Sequence, residues 1–291
     1  MKVKLAKNSG FCFGVRRAVN MALKELEAEN TKGIYSIGHI IHNRDVVDDL
    51  SRKGLKVIEN LKDVDEGTLI IRCHGLAASV ISEAKNKGLK LIDTTCPYVF
   101  SSHRIVNNLL KEGYSIIVVG DKNHPEIQAL CDTDDIVAVD ENTDFDLVSI
   151  KSKKVGLIAQ TTLPFNFYKK TIRAFLKKGF VELRIFNTIC NDTKKRQLSA
   201  KRLAKSVDCI LVVGGRFSAN SKRLYQICKK INPRAYHIEN SSELDEGWFL
   251  KEDSVGIVSG ASTPDYIIKQ VADSLRNINI SCKKEKVGVK S

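Results

Sequence analysis

The chain has 291 residues, of which 43% are hydrophobic and 28% charged, a composition typical of a globular protein. No apolar run approaches the roughly 20 residues of a membrane span, and the N-terminus lacks the apolar core of a signal peptide, so we expect a cytoplasmic protein with no membrane partner. The net charge of +13, from 47 basic and 34 acidic residues, predicts an anionic partner: a nucleic acid, a phosphorylated small molecule or an acidic protein.

Apolar, β-rich runs alternate with helical patterns along the chain. In chain order, the clearest elements are a helix at 12–29, a helix at 101–112, a strand at 115–119, a strand at 155–159, a helix at 163–178, strands at 209–213 and 255–258, and a helix at 263–277. Such alternation predicts an α/β protein with parallel sheets that are covered on both faces. In these folds, polar chemistry gathers at the carboxyl ends of the strands.

One pattern occurs three times. The segment IDTTC at 92–96 resembles FNTIC at 186–190, and a glycine follows each of three cysteines after 24 to 26 residues, at the end of an apolar strand. A polar residue lies four positions beyond each glycine. The three sets are Cys12, Gly38 and His42; Cys96, Gly120 and His124; and Cys190, Gly214 and Ser218. The repetition of these residues at nearly equal spacing predicts three similar α/β units that can share one central site.

Each unit also has a second strand that ends in a polar loop. These loops read Cys73-His74-Gly75, Gln160-Thr161-Thr162 and Gly260-Ala261-Ser262. The predicted units are residues 1–96, 97–189, with the Cys96 loop at its start, and 190–282, with the Cys190 loop at its start. A basic tail follows at 283–291.

Prolines mark the same loops. Four of the five prolines closely follow candidate site residues: Pro97, Pro125, Pro164 and Pro264. Proline is favoured at the first helical position, so we expect helices to begin there. A helix N-terminus presents unpaired N–H groups and a partial positive charge, which suit a phosphate.

The eight cysteines divide by context. Cys12, Cys96 and Cys190 lie in polar, turn-like segments, and in a reducing compartment such cysteines indicate metal binding or catalysis. The others are expected to be structural: Cys73, Cys131, Cys209, Cys228 and Cys282. Cys73 adjoins His74, but the period of two along a strand predicts that these two side chains point to opposite faces.

Three cysteines from distant segments could hold either zinc or an iron–sulfur cluster. A structural zinc normally takes a fourth protein ligand, and no matched fourth ligand is visible. A [4Fe–4S] cluster held by three thiolates leaves one iron open to substrate. The residues alone favour the cluster and leave zinc as the alternative.

The chain resembles the 4-hydroxy-3-methylbut-2-enyl diphosphate reductase family. The matching segments, spread over nearly the whole chain, are GFCFGVRRAV at Gly10, HNRDVVDDL at His42, CHGLA at Cys73, DTTCP at Asp93, HPEIQA at His124, QTTL at Gln160, TIC and RQ after Thr188, FSANS at Phe217 and GASTPD at Gly260. The resemblance implies a trefoil of three α/β units with small parallel sheets around a central [4Fe–4S] cluster.

It also implies residue roles. Cys12, Cys96 and Cys190 would bind the cluster, and Glu126 and Thr161 would lie near the hydroxyl that leaves. The diphosphate would be bound by His42, His74, His124, Ser218, Asn220 and Ser262. The family forms isopentenyl and dimethylallyl diphosphate with two electrons from ferredoxin or flavodoxin.

Two departures from the family pattern are visible. This chain has Ala219 between Ser218 and Asn220, where a second hydroxyl residue is common, and Asn191-Asp192 after Cys190, where small residues are usual. The alternative function is a basic nucleic-acid-binding protein with a structural Cys/His metal site. It explains the charge and the cysteines, but not the histidines, hydroxyls and prolines at matched strand ends, and the sequence shows no nucleic-acid-binding motif.

Overall fold

The structure is a computed structural model that describes residues 1–28 and 32–278. Within these ranges the predicted α/β class is confirmed, with three separate four-stranded sheets flanked by helices. The chain divides into two compact units, a larger one of residues 11–194 and a smaller one in which residues 1–10 join the chain from 195 onward. Cys282 and the tail 283–291 lie outside the described residues.

An α-helix follows most of the strands in sequence. The strands are β1 Lys2–Leu5, β2 Ile34–Ile37, β3 Leu55–Ile58, β4 Thr68–Ile71, β5 Lys90–Asp93, β6 Ser115–Val119, β7 Ile136–Val139, β8 Lys154–Ala159, β9 Glu182–Ile185, β10 Cys209–Val213, β11 Ala235–Ile238 and β12 Ser254–Ser259. The helices are α1 Phe13–Leu26, α2 Arg44–Arg52, α3 Ala78–Asn86, α4 Pro97–Lys111, α5 Pro125–Leu130, α6 Phe165–Leu176, α7 Asn191–Ala204, α8 Ala219–Lys229 and α9 Asp265–Asn277.

The first sheet of the larger unit has the order β3-β2-β4-β5, and every pairing is parallel. All four residues of β4 are buried, because helices cover both faces of the sheet. On one face Ile70 packs in a cluster with Val15 and Ala18 of α1, and on the other face Leu69 packs with Ala84 of α3.

The second sheet repeats this design, with the order β7-β6-β8-β9 and parallel pairing throughout. The central strand β6 is buried along its whole length. Tyr168 of α6 is buried beneath this sheet, and its hydroxyl oxygen lies 2.9 Å from the carbonyl oxygen of Leu157 and 2.8 Å from that of Phe186, so its single proton can be donated to either. The buried phenol therefore has partners for its polar atom.

The smaller unit contains the third sheet, with the order β1-β12-β10-β11 and parallel pairing. One of its two edge strands is β1, which pairs from Lys2 opposite Ser254 to Leu5 opposite Ile257. The prediction placed these residues in a first unit of 1–96, whereas their pairing places them in the third sheet. The segment KVKL does not predict which sheet this strand joins, because its alternating basic residues fit the edge of any sheet.

The predicted helix starts are close to those observed. Pro97 and Pro125 are the first residues of α4 and α5, as predicted. Pro164 and Pro264 instead occupy the capping positions one residue ahead of α6 and α9. In the described part of the chain, we find no helix with both the length and the apolar character needed to cross a bilayer.

Candidate active site

Each of the three predicted metal-ligating cysteines directly precedes a helix. Cys12 is the N-cap of α1, and its Sγ accepts the N–H of Val15 at 3.4 Å. Cys96 is the N-cap of α4, and Cys190 immediately precedes α7. All three are half-buried and lie in the larger unit. The positive end of a helix favours a thiolate, so these positions suit metal-binding sulfur.

The three thiols also influence one another. Burial raises the pKa of Cys96 to about 11, backbone N–H groups of Tyr98 and Val99 oppose that rise, and the charges of Cys12 and Cys190 add to it. Burial likewise raises the pKa of Cys190. Three neighbouring thiols resist ionisation together unless a cation compensates their charge. The donor set therefore fits a cationic metal centre.

Backbone contacts fix the cysteine loops. The N–H of Cys96 donates to the carbonyl of Cys73 at 3.0 Å, and the N–H of Cys190 donates to that of Thr161 at 2.9 Å. Gly14, in the first turn of α1, leaves space for sulfur, because a Cβ there would lie 2.5 Å from the Cys96 Sγ. No feature of the sequence predicts the need for glycine at this position.

The structure brings the three predicted histidines together. His42 and His74 follow β2 and β4 of the first sheet, and His124 is the N-cap of α5 after β6 of the second sheet. The ring centroids are 4.4 Å apart for His42 and His74, 5.5 Å for His42 and His124, and 5.3 Å for His74 and His124. One nitrogen from each ring lies within 4.8 Å of the others. Such a set can contact an anion through N–H groups or hold a metal ion through lone pairs.

Burial favours the neutral form of two of these imidazoles, His124 and His74. It lowers the pKa of His124 to about 4, with a further contribution from the charge of Arg72. It also lowers the pKa of His74 well below its usual value, and His42, His124 and Arg72 add to the effect. Nδ1 of His124 accepts the N–H of Glu126 at 3.2 Å, so the neutral ring carries its proton on Nε2.

Arg72 is a site residue that the sequence reasoning missed. It is partly buried at the end of β4, and its Nε donates to the carbonyl of Gly75 at 3.2 Å. Its guanidinium acts on the histidine pKa values, so it provides a permanent positive charge near them. In the sequence, only its position two residues before His74 indicates that Arg72 lies near this site.

Glu126 and Thr161 form a tight pair in the larger unit. Glu126 lies in the first turn of α5 and is only 1% exposed. The backbone N–H and the hydroxyl of Thr161 donate to its two carboxylate oxygens, each at 2.7 Å. Burial nonetheless raises the pKa of Glu126 to about 7, because the desolvation of the charge outweighs both hydrogen bonds. A carboxyl group with this pKa can give and regain a proton near neutral pH.

The remaining predicted residues lie in the smaller unit. Ser218 is the N-cap of α8, and its Oγ accepts the N–H of Ser221 at 3.3 Å. Asn220 is buried, and among the described residues neither its amide oxygen nor its amide nitrogen has a hydrogen-bond partner. Ser262 is buried in the loop after β12. A buried amide without partners is costly, and a polar ligand would satisfy it.

Cys73 corrects one prediction. It is buried, as expected of a core residue, but its side chain does not point away from His74. The strand β4 ends at Ile71, so the period of two no longer applies at Cys73. Its Sγ lies 3.6 Å from Nε2 of His74.

Comparison with known proteins agrees with these features. The family model described as LytB protein matches residues 3–276. The 4-hydroxy-3-methylbut-2-enyl diphosphate reductase of Pelobacter propionicus is 43% identical over 96% of this chain and 99% of its own length. The enzyme of the same name from Clostridioides difficile is 42% identical over 96% of this chain and 100% of its own length.

Solved structures are similar as well. The structure of an (E)-4-hydroxy-3-methyl-but-2-enyl diphosphate reductase, described as the terminal enzyme of the non-mevalonate pathway, matches with a TM-score of 0.70 and 40% identity, covering 96% of this chain and all of the other. The E-1-hydroxy-2-methyl-but-2-enyl-4-diphosphate reductase of Plasmodium falciparum matches with a TM-score of 0.86 and 29% identity, covering 95% and 88%. These matches confirm the resemblance drawn from the motifs and give no support to the nucleic-acid-binding alternative. The chain belongs to the LytB protein family, that of the 4-hydroxy-3-methylbut-2-enyl diphosphate reductases.

Proposed function

We propose that this protein reductively removes the hydroxyl group of (E)-4-hydroxy-3-methylbut-2-enyl diphosphate and forms isopentenyl and dimethylallyl diphosphate. The observation that carries the proposal is the buried Glu126–Thr161 pair, which lies in the same unit as the three histidines and the three cysteines. This unit thus contains a proton donor, anion-binding groups and thiol ligands, which the reaction needs together.

Cys12, Cys96 and Cys190 would hold a [4Fe–4S] cluster. Three thiols at helix starts supply the soft ligands that iron–sulfur clusters take, and the small residue Gly14 leaves space beside Cys96. When bound, the cluster would deliver the two electrons and act as a Lewis acid on the hydroxyl oxygen. A structural zinc fits less well, because no fourth ligand is matched to these three.

The diphosphate would be bound by two sets of residues. In the larger unit, His42, His74 and His124 offer ring N–H donors, of which His74 and His124 are kept neutral by burial, and Arg72 adds a positive charge. In the smaller unit, the donors would be Ser218, Asn220 and Ser262. The buried Asn220 amide supports this assignment, since both of its polar atoms still lack partners among the described residues.

Glu126 and Thr161 would deliver the proton that turns the leaving hydroxyl into water. With a pKa of about 7, Glu126 retains its proton in a large fraction of molecules near neutral pH. Protonated Glu126 can donate to the Thr161 hydroxyl, which then donates onward to the substrate oxygen. The reaction balances with two electrons and two protons: one proton leaves in water and the other is added to the carbon skeleton.

The electrons would come from a small acidic protein, such as a ferredoxin or a flavodoxin, in the cytoplasm. The net charge of +13 supports an acidic partner, because opposite charges accelerate the encounter of two proteins. A nucleic-acid partner has no support from a motif or from the comparisons.

The deciding experiment is to purify the protein anaerobically, determine iron and sulfide, and supply the allylic diphosphate with a small chemical reductant. We expect about four irons per chain, the number in one [4Fe–4S] cluster, and both isoprenoid diphosphates as products. A colourless, zinc-loaded protein without turnover would overturn the proposal. Zinc bound at the three histidines would be recognised by its loss in a His124→Ala variant.

A further inference from the structure

The thiol of Cys73 lies beside one of the candidate diphosphate ligands. Its Sγ is 3.6 Å from Nε2 of His74, within the range of a hydrogen bond to sulfur. The other ring nitrogen, Nδ1 of His74, is buried and has no hydrogen-bond partner among the described residues. One side of this imidazole is therefore engaged by protein, and the other is left for a ligand.

The backbone of Cys73 is held on both sides. Its N–H donates to the carbonyl of Ile40 at 3.2 Å, and its own carbonyl accepts the N–H of Cys96 at 3.0 Å. The side chain is also buried. These bonds hold the backbone of Cys73, and burial limits the other positions that its thiol can take.

The direction of this contact decides what His74 can bind. A neutral imidazole carries one N–H and one lone pair. If the thiol donates to Nε2, the proton is on Nδ1, and the unpartnered side of the ring is a donor. If Nε2 instead donates to the sulfur, Nδ1 presents a lone pair, which repels an anion.

We infer that Cys73 is a positioning residue, whose S–H donates to Nε2 of His74 and so holds the ring in the tautomer with an N–H on Nδ1, ready for an oxygen of the diphosphate. The inference rests on the proposed function for the identity of the anion, but the tautomer is a property of the protein alone. In His124, too, a hydrogen-bond donor selects the tautomer, but the opposite one: the backbone N–H of Glu126 donates to Nδ1, so the ring proton is on Nε2.

The tautomer can be observed directly. In anaerobically purified holoprotein with ¹⁵N-labelled histidine, protonated and bare ring nitrogens resonate at well-separated positions, and a His74→Gln variant identifies the His74 signals. At pH 8, without ligand, we expect the proton of His74 on Nδ1. In Cys73→Ala, which has no donor at this position, we expect a substantial population with the proton on Nε2. In Cys73→Ser, a hydroxyl replaces the thiol as donor, and we expect the Nδ1–H form to return.

Binding of inorganic diphosphate gives the second measurement. Loss of one well-directed hydrogen bond corresponds to up to about tenfold in affinity, so Cys73→Ala should bind about tenfold more weakly and Cys73→Ser close to normally. Iron and sulfide content should be the same in all three proteins, which separates this role from any effect on the cluster. A wild-type His74 with its proton on Nε2, or protonated on both nitrogens, overturns the inference, as does an unchanged spectrum in Cys73→Ala. If wild-type protein does not bind diphosphate at all, the proposed function fails, while the spectrum still reports on Cys73.

Discussion

Thr161 donates two hydrogen bonds to Glu126, one from its backbone N–H to Oε1 and one from its hydroxyl to Oε2, both at 2.7 Å. Glu126 lies in the first turn of α5, which follows β6, and Thr161 lies in the loop after β8 of the same sheet. The backbone bond fixes the carboxyl group, and the hydroxyl bond provides a path along which a proton can move. In the proposed reaction the two residues would transfer the proton together, and each can be tested separately.

Replacing Glu126 by glutamine should lower turnover by about 10²–10⁴-fold, the usual contribution of a general acid. The amide keeps the size of the side chain and can still accept the Thr161 N–H, so cluster content and substrate binding should persist. Steady-state kinetics, with iron and sulfide analysis of the same preparation, is the measurement. Near-normal turnover would leave Glu126 as a helix-capping residue only.

The pH dependence of turnover tests the same role of Glu126. Burial raises the pKa of Glu126 to about 7, so the carboxyl group keeps its proton below that pH and loses it above. Wild-type turnover should therefore fall as the pH rises through about 7, and this limb should be missing from the residual activity of Glu126→Gln. The exposed Glu83 of α3 supplies a matched control, since Glu83→Gln should retain the wild-type profile.

The three proposed cysteine ligands can be distinguished from other cysteines by serine substitution. Cys12→Ser, Cys96→Ser and Cys190→Ser should each lose most of the iron and sulfide, because a hydroxyl is a poor ligand for an iron–sulfur cluster. The matched control is Cys131→Ser, a cysteine that is half-buried like the three but lies at the end of α5. Cluster absorption that survives in Cys190→Ser but disappears in Cys131→Ser would contradict the assignment.

Gly14 provides a test that depends on shape alone. In Gly14→Ala, the new methyl group would lie 2.5 Å from the Cys96 Sγ, closer than contact distance, so the thiol or the helix must move. We expect loss of iron and sulfide although no ligand has been changed. Asn20→Ala, at an exposed position of the same helix, should retain the full cluster content. Normal cluster content in Gly14→Ala would show that the site tolerates displacement of Cys96.

These tests draw differently on sequence and structure. The proximity of the three histidines could be predicted, because each follows a largely apolar strand and strand ends gather in an α/β fold. The sheet of β1 could not be predicted, since KVKL has no apolar pattern that distinguishes one sheet edge from another. The role of Gly14 could not be predicted either, because it depends on the Sγ of Cys96, more than 80 positions away in sequence.

Cys73 shows why a local rule fails at an element boundary. The period of two holds only while the backbone is extended, and β4 ends two residues earlier, at Ile71. Beyond that point the chain turns, and neighbouring side chains can meet. The raised pKa of Glu126 could not be predicted from the sequence either, since it depends on burial of the carboxyl group in the folded protein.

Truncation of the proposed diphosphate ligands should weaken anion binding. His124→Ala and Asn220→Ala should each reduce affinity for inorganic diphosphate by about 10–100-fold, because one hydrogen bond to a charged group contributes roughly 1.5–3 kcal/mol. Calorimetry on anaerobic protein measures this directly. Asn123→Ala, which changes the exposed neighbour of His124, should bind normally. Unchanged diphosphate affinity in both site variants would place these residues outside the anion site.

The positive charge of the chain should appear in the salt dependence of turnover. A net charge of +13 attracts an acidic electron donor mainly by raising the association rate, and salt screens such attraction beyond about 10 Å at 0.1 M. Turnover driven by an acidic ferredoxin or flavodoxin should therefore fall steeply between low and moderate salt. Turnover driven by a small chemical reductant should fall much less, because its electrons need no protein docking.

The measurement is a paired salt titration of the same preparation with both electron sources, at a donor concentration low enough for association to limit the rate. RNA added to the protein-driven reaction is the competitor that tests the other class of anionic partner, since nucleic-acid binding weakens with salt through counterion release. We expect RNA to inhibit little at physiological salt. Equal salt slopes for the two electron sources would show that the positive charge does not guide the donor, and tight RNA binding without reductase turnover would favour the nucleic-acid-binding alternative instead.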